Sequence, residues 1–451
     1  MSFQIVFMAQ ALVCIASYFL FFRENEAPRI LKLLVVVAYL TVPLTIIVTG
    51  IASAIYVSDL MLPVLIIYLV KNNTEVSRIL NDKYVVSIFF LLIVLPIITG
   101  LCLSIIGDYT ILSLDSAIWF YRNLNLVIVL IVGMSTKMDQ KQTGGFLEIN
   151  LYFGVVLSIA GLVSYFTPFK LAIFESIRLG QQGSEILSYQ EFGYGFLGLF
   201  RGSTGQWFVL LILMAIGGYS FISRGYKKVA WILILSGTGV ILLSYSRIAL
   251  IGLATGLLII GMIALKGKRK IVMVIVIAAI ALWFYLEPQL VENRYSFIEP
   301  GSIQTLFEQG EVRIRGWEES IEYLEDNGQN VALGIGPANT ELSYKITGLY
   351  GPHNEYINAI FTSGIFELLL LFFVLWQMIM RLYQKGRNSD KRTKQLFWGF
   401  IAIVVANIVI GITQAHLLHD YATYTFGFYL FLIYGAIMGS CDSDWSSNGI
   451  E

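Results

Sequence analysis

The sequence predicts an all-α protein, a polytopic transmembrane helical bundle of about 12–13 spans with one large extracytoplasmic loop that contains short amphipathic helices. Hydrophobic residues make up 57% of the 451 residues, and the mean hydropathy is +0.74. Charged residues make up only 13%, about half of the roughly 25% that is usual in soluble proteins. So few charges cannot cover so much apolar surface in water, which excludes a soluble enzyme. The net charge of zero also provides no basic field for nucleic acid.

Apolar runs of about 17–25 residues, separated by charged or turn-rich breaks, give about thirteen candidate spans. The first is expected to be a retained span, because neither a preceding basic residue nor a small-residue cleavage site marks it as a secretory signal. The predicted division is transmembrane helices 1–10 with short loops over residues 1–287, a large extracytoplasmic loop over 288–356, helices 11–13 over 357–440 and a cytoplasmic tail over 441–451. The spans cover approximately residues 3–22, 29–49, 52–70, 84–106, 116–134, 149–167, 205–223, 229–245, 248–265, 271–287, 357–380, 396–414 and 421–439.

The positions of Lys and Arg predict which end of each span faces the cytoplasm. Most of the 30 basic residues fall in every second connection, and basic connections are retained on the cytoplasmic side. Nine basic residues fall instead on the opposite face, where this rule does not explain them. They are Arg122, Lys170, Arg178, Arg201, Arg247, Arg294, Arg313, Arg315 and Lys345.

The large loop is acidic, with eleven Asp and Glu residues from position 292 to position 355. Within it, Trp317, Ile321 and Leu324 are spaced i, i+4 and i+7, which predicts one apolar face of an amphipathic helix. The segment Gly334-Ile-Gly-Pro that follows is typical of a turn.

All three histidines are predicted to lie on the extracytoplasmic face, at positions 353, 416 and 419. His353 precedes an apolar run, and the positive end of the helix there would favour a neutral imidazole, the state that a general base needs. The alternative is a hydrogen-bonding group at a helix end. His416 and His419, with Asp420 beside them, could form a metal site with His353 or be interfacial residues. The three cysteines have no metal-ligand spacing.

Four of the exceptional arginines suggest an anionic ligand at the outer leaflet. Arg122 lies about two turns inside a span, where an arginine is costly unless it meets an anion or a water-filled cavity, although it could also snorkel to the headgroups. Arg247 follows a sharp reversal between two apolar helices, where an interfacial anchor is the alternative. Arg201 precedes a span in a Gly-containing segment, and Arg313 lies in the acidic loop. Pyrophosphate is the natural candidate, because guanidinium groups bind phosphate oxygens bidentately.

Five segments in this order resemble the O-antigen ligase and polymerase superfamily, bacterial membrane glycosyltransferases that use polyprenyl-pyrophosphate-linked glycans. The resemblance covers roughly residues 195–380. It departs from the family pattern at Gln206-Trp207, where an Asn is usual. The segments are Arg201-Gly-Ser-Thr-Gly205, Ser246-Arg247, Arg313 with Trp317, Gly334-Ile-Gly336, and His353-Asn354-Glu355-Tyr356 leading into Gly364.

The resemblance implies a metal-independent, inverting transfer without a cofactor, in which an acceptor sugar hydroxyl attacks the anomeric carbon of the lipid-linked glycan. It implies that His353 is the general base, that Arg247 and Arg313 hold the departing pyrophosphate, and that the large loop is catalytic. Further candidate pyrophosphate ligands are Arg122, Arg201 and Arg315, and candidate substrate-binding residues are Asn354 and Tyr356.

A polymerase of oligosaccharide repeat units is the favoured function, because the outer loop is acidic and lacks a strongly basic surface for a phosphorylated lipid acceptor. The alternatives are a ligase that transfers the glycan to a lipid A core, a protein-glycosylating enzyme, and a transporter or flippase for the lipid-linked glycan. The expected partners are a polyprenyl-pyrophosphate-linked oligosaccharide and membrane lipid, with a chain-length regulator as a further candidate and no nucleic acid. The expected location is the bacterial cytoplasmic (inner) membrane, with the active site facing the periplasm or the outside.

Overall fold

The predicted fold class, an all-α polytopic membrane protein, is confirmed by the computed structural model. Within the described residues, four helices are long and apolar enough to cross a membrane: Lys83–Ile106, Ser116–Ser135, Ile365–Arg387 and Lys391–Gly411. The structure describes residues 28–39, 44–48, 51–55, 57–107, 109, 111, 113–166, 204–243, 247–264, 315–347, 354–412 and 424–440. The predicted spans 3–22 and 271–287 lie outside these residues.

The first described segment departs from the prediction. Helix α1 covers only Arg29–Ala38, and strands β1 (Leu44–Val48) and β2 (Ile51–Ile55) then pair antiparallel. The predicted spans 29–49 and 52–70 are therefore wrong over this hairpin. Four consecutive β-branched residues in β1 favour a strand, and hydropathy alone does not separate a short apolar strand from a helix.

A 3₁₀ turn over Val57–Met61 leads from the hairpin into helices α2 (Leu62–Lys71) and α3 (Asn73–Leu80). Helix α4 (Lys83–Ile106) matches the predicted span 84–106 closely. Its centre widens into a π-helical turn over residues 90–94, which ends two residues before Pro96. Proline has no N–H to continue the regular hydrogen-bond ladder, which explains the local change of pitch.

The next helices follow the predicted spans with shifted ends. Helix α5 begins after Ser113, whose hydroxyl oxygen accepts a hydrogen bond from Ser116 N at 3.1 Å and so caps the helix. The helices in this part of the chain are α5 (Leu114–Ser135), α6 (Gln140–Phe166), α7 (Thr204–Gly217), α8 (Tyr226–Leu243) and α9 (Arg247–Ala264).

The loop segment that the structure describes forms helix α10 over residues 315–326, then α11 (Gly328–Leu333) and α12 (Thr340–Thr347). Residues 315–326 are helical as predicted, but the predicted apolar face is partly wrong. Leu324 is buried, whereas Ile321 is 48% exposed. Leu324 packs instead against the loop turn and α13, so the buried face of α10 is rotated away from Ile321.

The predicted span 357–380 is two helices, α13 (Glu355–Ser363) and α14 (Ile365–Arg387). Gly364 separates them with φ of +78°, a conformation that favours glycine. A Cβ atom at Gly364 would lie only 2.0 Å from Ala332 O in α11. The loop backbone therefore packs directly into the break between the two helices, which a hydropathy pattern does not reveal.

The last two helices, α15 (Lys391–Gly411) and α16 (Tyr424–Gly439), complete the core. Helix α16 packs along α5, and α15 packs against α7, α9 and α14. At one crossing, a Cβ atom on Gly217 would lie 2.6 Å from the Cα atom of Gly399. Small residues at such crossings allow helix backbones in a membrane to approach closely.

The helix connections gather at two ends. At one, Lys137 Nζ contacts Glu75 Oε1 at 2.7 Å and Lys385 Nζ donates to Met438 O at 2.7 Å. We call this the basic end, because it joins the Lys- and Arg-rich connections 71–83, 135–141 and 381–394. The opposite end, called the far end, holds the last residues of α4 and α15 and the first residues of α5, α13 and α16.

Candidate functional site

The candidate site lies at the far end, where the start of α13 meets the end of α15. Asn354 caps α13, because its Oδ1 accepts hydrogen bonds from Tyr356 N at 2.9 Å and Ile357 N at 3.1 Å. Its Nδ2 donates to Ile412 O at 2.7 Å. Helix ends leave backbone groups without partners inside the helix. One buried amide therefore satisfies such groups at the ends of both helices and fixes them together.

Tyr356 makes a second link between the same helices. Its hydroxyl donates to Ile408 O at 2.5 Å, and its ring stacks on Phe372 of α14 with the centroids 5.2 Å apart. Burial, and after it the charge of Glu355, raise the pKa of Tyr356 to about 12. The hydroxyl therefore stays protonated at neutral pH and remains a donor.

The predicted turn at Gly334 is confirmed and is fixed to the end of α13. Its two glycines have φ of +71° and +100°. Ile335 N donates to Phe361 O at 2.6 Å, and a Cβ atom at Gly334 would lie 2.4 Å from that same oxygen. Tyr109, between α4 and α5, donates its hydroxyl to Pro337 O at 2.5 Å. These contacts hold the loop over the far end of the bundle.

The helix that begins at Arg247 reaches the same end. A Cβ atom on Gly252 of α9 would lie 2.6 Å from Ile410 Cδ1, one residue before the end of α15. A Cβ atom on Gly256, one turn later, would lie 2.4 Å from Leu213 Cδ1. Arg247 lies five residues before Gly252, about 7.5 Å along the helix axis towards the far end. The side chain of Arg247 is outside what the structure describes.

Arg122 is buried inside the bundle, as its position within a span predicts. Its guanidinium donates from Nε to Asp59 Oδ1 at 3.3 Å and from Nη2 to Asp59 Oδ2 at 3.1 Å. The two side chains are only 7% and 8% exposed. A buried arginine inside a span needs an anion or water beside it, and Asp59 of the same chain is that anion. The predicted binding of pyrophosphate by Arg122 stays a prediction.

Polar groups from three segments surround this ion pair. The guanidinium carbon of Arg122 lies 5.1 Å from the centroid of the Tyr424 ring, a cation–π contact. Asn125 Nδ2 donates to Ser58 O at 2.8 Å and to the Tyr424 hydroxyl at 2.6 Å. This cluster was not predicted from the sequence. Asp59, a single acid inside an apolar run, was the signal that could have suggested a partner for Arg122.

The remaining predicted site residues divide into two groups. Arg315 is at the start of the described part of α10 and is exposed. Asn354 and Tyr356 are described, and the side-chain hydrogen bonds of both given above are to backbone groups. The predicted contact of these two side chains with substrate stays a prediction. Outside the described residues lie Arg201, Arg313, His353, His416 and His419.

The described residues contain no group of three or more His, Cys, Asp or Glu side chains that could hold a metal ion. The alternative metal site at His353, His416 and His419 falls outside this part of the chain. The expectation of metal independence therefore stays a prediction.

The fold and these contacts define a multi-pass helical membrane protein in which a loop is fixed over the far end of the bundle. Asn354, the residue after His353, is bonded to the end of α15, and the helix that starts at Arg247 packs on that end. This arrangement brings two of the segments that carry the family resemblance to one place, although they are about a hundred residues apart in the sequence.

Residues 231–372 match the family model of the O-antigen ligase family (Wzy_C), about a third of the chain. No curated protein matches the chain. The family match confirms the resemblance to the O-antigen ligase and polymerase superfamily. It supports a glycosyl-transferring enzyme of the O-antigen ligase or polymerase type that acts on lipid-linked glycans. The matched segment includes Arg247, Arg313, Arg315 and His353, but neither Arg122 nor Arg201.

Proposed function

We propose that the protein polymerises oligosaccharide repeat units linked to polyprenyl pyrophosphate, at the extracytoplasmic face of a bacterial cytoplasmic membrane. The sugar hydroxyl of the acceptor attacks the anomeric carbon of the donor. A new glycosidic bond forms with inversion, the bond from the anomeric carbon to the phosphate oxygen breaks, and polyprenyl pyrophosphate leaves with the electron pair. The far end would face the periplasm or the outside, since the basic end is expected to face the cytoplasm.

In this proposal His353 accepts the proton of the attacking hydroxyl. Arg247 and Arg313 bind the pyrophosphate and stabilise the negative charge that develops as it leaves. The guanidinium group suits this task, because its planar fork donates two parallel hydrogen bonds to phosphate oxygens. Since the leaving group is already activated, the reaction needs neither a nucleotide nor a metal ion. Arg201 and Arg315 are additional candidate ligands of the pyrophosphate.

The observation that carries the proposal is the shared anchor at the end of α15. Asn354 Nδ2 bonds to Ile412 O at 2.7 Å, and α9 packs against Ile410 through Gly252. The segment that supplies the proposed base and the helix that supplies a pyrophosphate ligand are therefore tied to one rigid helix end. Such support keeps catalytic groups in a fixed relation, on which the rate of a two-substrate reaction depends strongly.

The charge of α10 supports the polymerase over the ligase. Its exposed residues include Glu318, Glu322, Glu325 and Asp326, against the single exposed Arg315. An acidic surface near the site disfavours a phosphorylated lipid core as acceptor and tolerates a neutral sugar. The proposal does not require a chain-length regulator.

Reconstitution of the purified protein with a lipid-linked repeat unit alone tests the proposal. We expect a ladder of products of increasing length. Transfer that begins only after a lipid A core acceptor is added would show a ligase. Repeat units that cross the bilayer without changing in mass would show a flippase. A parallel reaction with the Arg247→Ala variant shows whether the ladder depends on the proposed site.

A further inference from the structure

The side chain of Gln206, in the first turn of α7, is buried without a hydrogen-bond partner among the residues that the structure describes. It is only 2% exposed, so bulk water does not satisfy its amide. Within the described residues, neither Nε2 nor Oε1 has a partner. A primary amide offers two donors and an acceptor oxygen, and burying such groups unpaired is costly. The position therefore suits a ligand that brings polar groups of its own.

Gln206 lies at the far end of the bundle. The ring of the next residue, Trp207, stacks on the ring of Tyr429 with the centroids 4.7 Å apart. The same indole meets Phe426, in the first turn of α16, edge to face with the centroids 5.7 Å apart. Since the first residues of α16 belong to the far end, the first turn of α7 reaches that end too.

The packing of α7 on α15 places Gln206 at the level of Ile410. The two helices run in opposite directions and cross where a Cβ atom on Gly217 would lie 2.6 Å from the Cα atom of Gly399. Gln206 is eleven residues before Gly217. Ile410 is eleven residues after Gly399. Eleven residues are close to three helical turns, or about 16.5 Å. Gln206 and Ile410 therefore come to the same level on the facing sides of the two helices.

This level is also close to the start of α9. A Cβ atom on Gly252 of α9 would lie 2.6 Å from Ile410 Cδ1, and α9 packs on α7 at Gly256. Arg247 begins α9, about 7.5 Å from Gly252 along the helix axis. Gln206 is therefore on a helix next to that of the predicted pyrophosphate ligand, and only about 7.5 Å from it along the bundle. The sugar bonded to the pyrophosphate is the part of the donor that such a side chain would meet.

We propose that the amide of Gln206 binds a pair of hydroxyl groups on the donor sugar next to the pyrophosphate, and so contributes to the selection of the repeat unit. This inference rests on the proposed function, which supplies the lipid-linked donor. A hydroxyl both donates and accepts, so two adjacent hydroxyls satisfy Nε2 and Oε1 together. An ionised pyrophosphate oxygen only accepts and would leave Oε1 without a donor. A site that hydrogen-bonds a substrate hydroxyl rejects analogues that lack it, because its own polar groups are then unpaired.

Donor binding and glycan transfer by a Gln206→Met variant of the full-length protein test this site. The probes are the lipid-linked repeat unit and versions of it that each lack one hydroxyl of the sugar bonded to the pyrophosphate. The matched control is Gln395→Met, the same change near the other end of the α7–α15 pair, where Gln395 Nε2 donates to Ile216 O at 3.4 Å. Should Gln206→Met not fold, Gln206→Asn replaces it, because it keeps the amide and withdraws it by one methylene.

Without donor, Gln206→Met should unfold at or above the wild-type temperature, because it removes no hydrogen bond within the described residues. The affinity for the complete donor, measured from the rise in unfolding temperature as donor is added, should fall about tenfold to hundredfold through the loss of two hydrogen bonds. The KM of transfer should rise by a similar factor with kcat little changed. At least one deoxy donor should bind the wild type more weakly by a similar factor, and Gln206→Met should not distinguish that donor from the complete one.

The results separate this site from the proposed function. Unchanged donor binding by Gln206→Met beside a normal product ladder would overturn the sugar site and leave the polymerase intact. An equal loss of donor affinity in Gln395→Met, or a fall in the unfolding temperature of Gln206→Met without a change in donor affinity, would also overturn it, because the amide would then have only a structural role. Weaker donor binding by Gln206→Met, with no ladder from the wild type, would support the sugar site and refute the polymerase.

Discussion

Replacing Arg122 by Met should destabilise the protein strongly, because it leaves the carboxylate of Asp59 buried without the guanidinium that neutralises it. The two side chains form two hydrogen bonds, at 3.3 Å and 3.1 Å, and are only 7% and 8% exposed. Removing one member of a buried ion pair typically costs about 3–5 kcal/mol. Since about 1.4 kcal/mol is a factor of ten, the equilibrium constant for unfolding should rise between about 100-fold and several thousand-fold.

The double variant D59N/R122M separates stability from catalysis. It removes both charges together, and replacing a buried ion pair by neutral groups of similar volume is often close to neutral in stability. We therefore expect most of the stability lost in R122M to return in the double variant. Thermal unfolding of the purified proteins in detergent gives the stabilities, and glycan transfer in proteoliposomes gives the activities.

Two results would contradict this reasoning. An R122M protein as stable as the wild type would show that the ion pair is not important for the fold. A double variant as unstable as R122M would show that Arg122 acts through groups other than Asp59. A double variant that is stable but inactive has a different meaning, because it would support the predicted role of Arg122 as a pyrophosphate ligand.

Three further predictions concern the far end. Arg247→Lys should lower the rate of glycan transfer by about tenfold or more without loss of stability. The reason is that one ammonium group cannot reproduce the bidentate contact of a guanidinium with phosphate. Near-normal turnover of this variant would indicate that Arg247 is only an interfacial anchor. Asn354→Ala should cost about 2 kcal/mol through loss of the cap of α13 and of the bond to Ile412. Asn354→Ser should recover the part due to the cap, and an unchanged unfolding temperature in the Ala variant would argue against this anchor. EDTA should leave transfer intact, whereas a loss restored by zinc would support a metal site at His416 and His419.

Hydropathy predicts the long spans well, because burial in lipid requires a long apolar helix whatever its neighbours are. The spans 84–106, 116–134 and 396–414 coincide with helices long enough to cross a membrane. The same criterion fails at residues 44–55, where β-branched residues form a hairpin. It also fails at Gly364, because the break there depends on close contact with Ala332, a residue of the loop.

The candidate site was only partly predictable for a similar reason. The sequence identifies an arginine that needs an anion, but it does not identify Asp59, which is 63 positions away and on a different segment. It predicts the helix in the acidic loop, but not which face of α10 is buried, because that depends on the turn and on α13. It indicates the segment around Asn354, but not that the amide bonds to the end of α15.

The role of His353 is tested by glycan transfer by a His353→Ala protein in proteoliposomes that contain only the lipid-linked repeat unit. We expect this variant to insert into the membrane, to unfold at the same temperature as the wild type and to form no product ladder. Variants His416→Ala and His419→Ala replace the other two histidines that are predicted on the extracytoplasmic face, and these matched controls should keep the ladder. A ladder from the His353→Ala protein at near wild-type rate would show that His353 is not the general base.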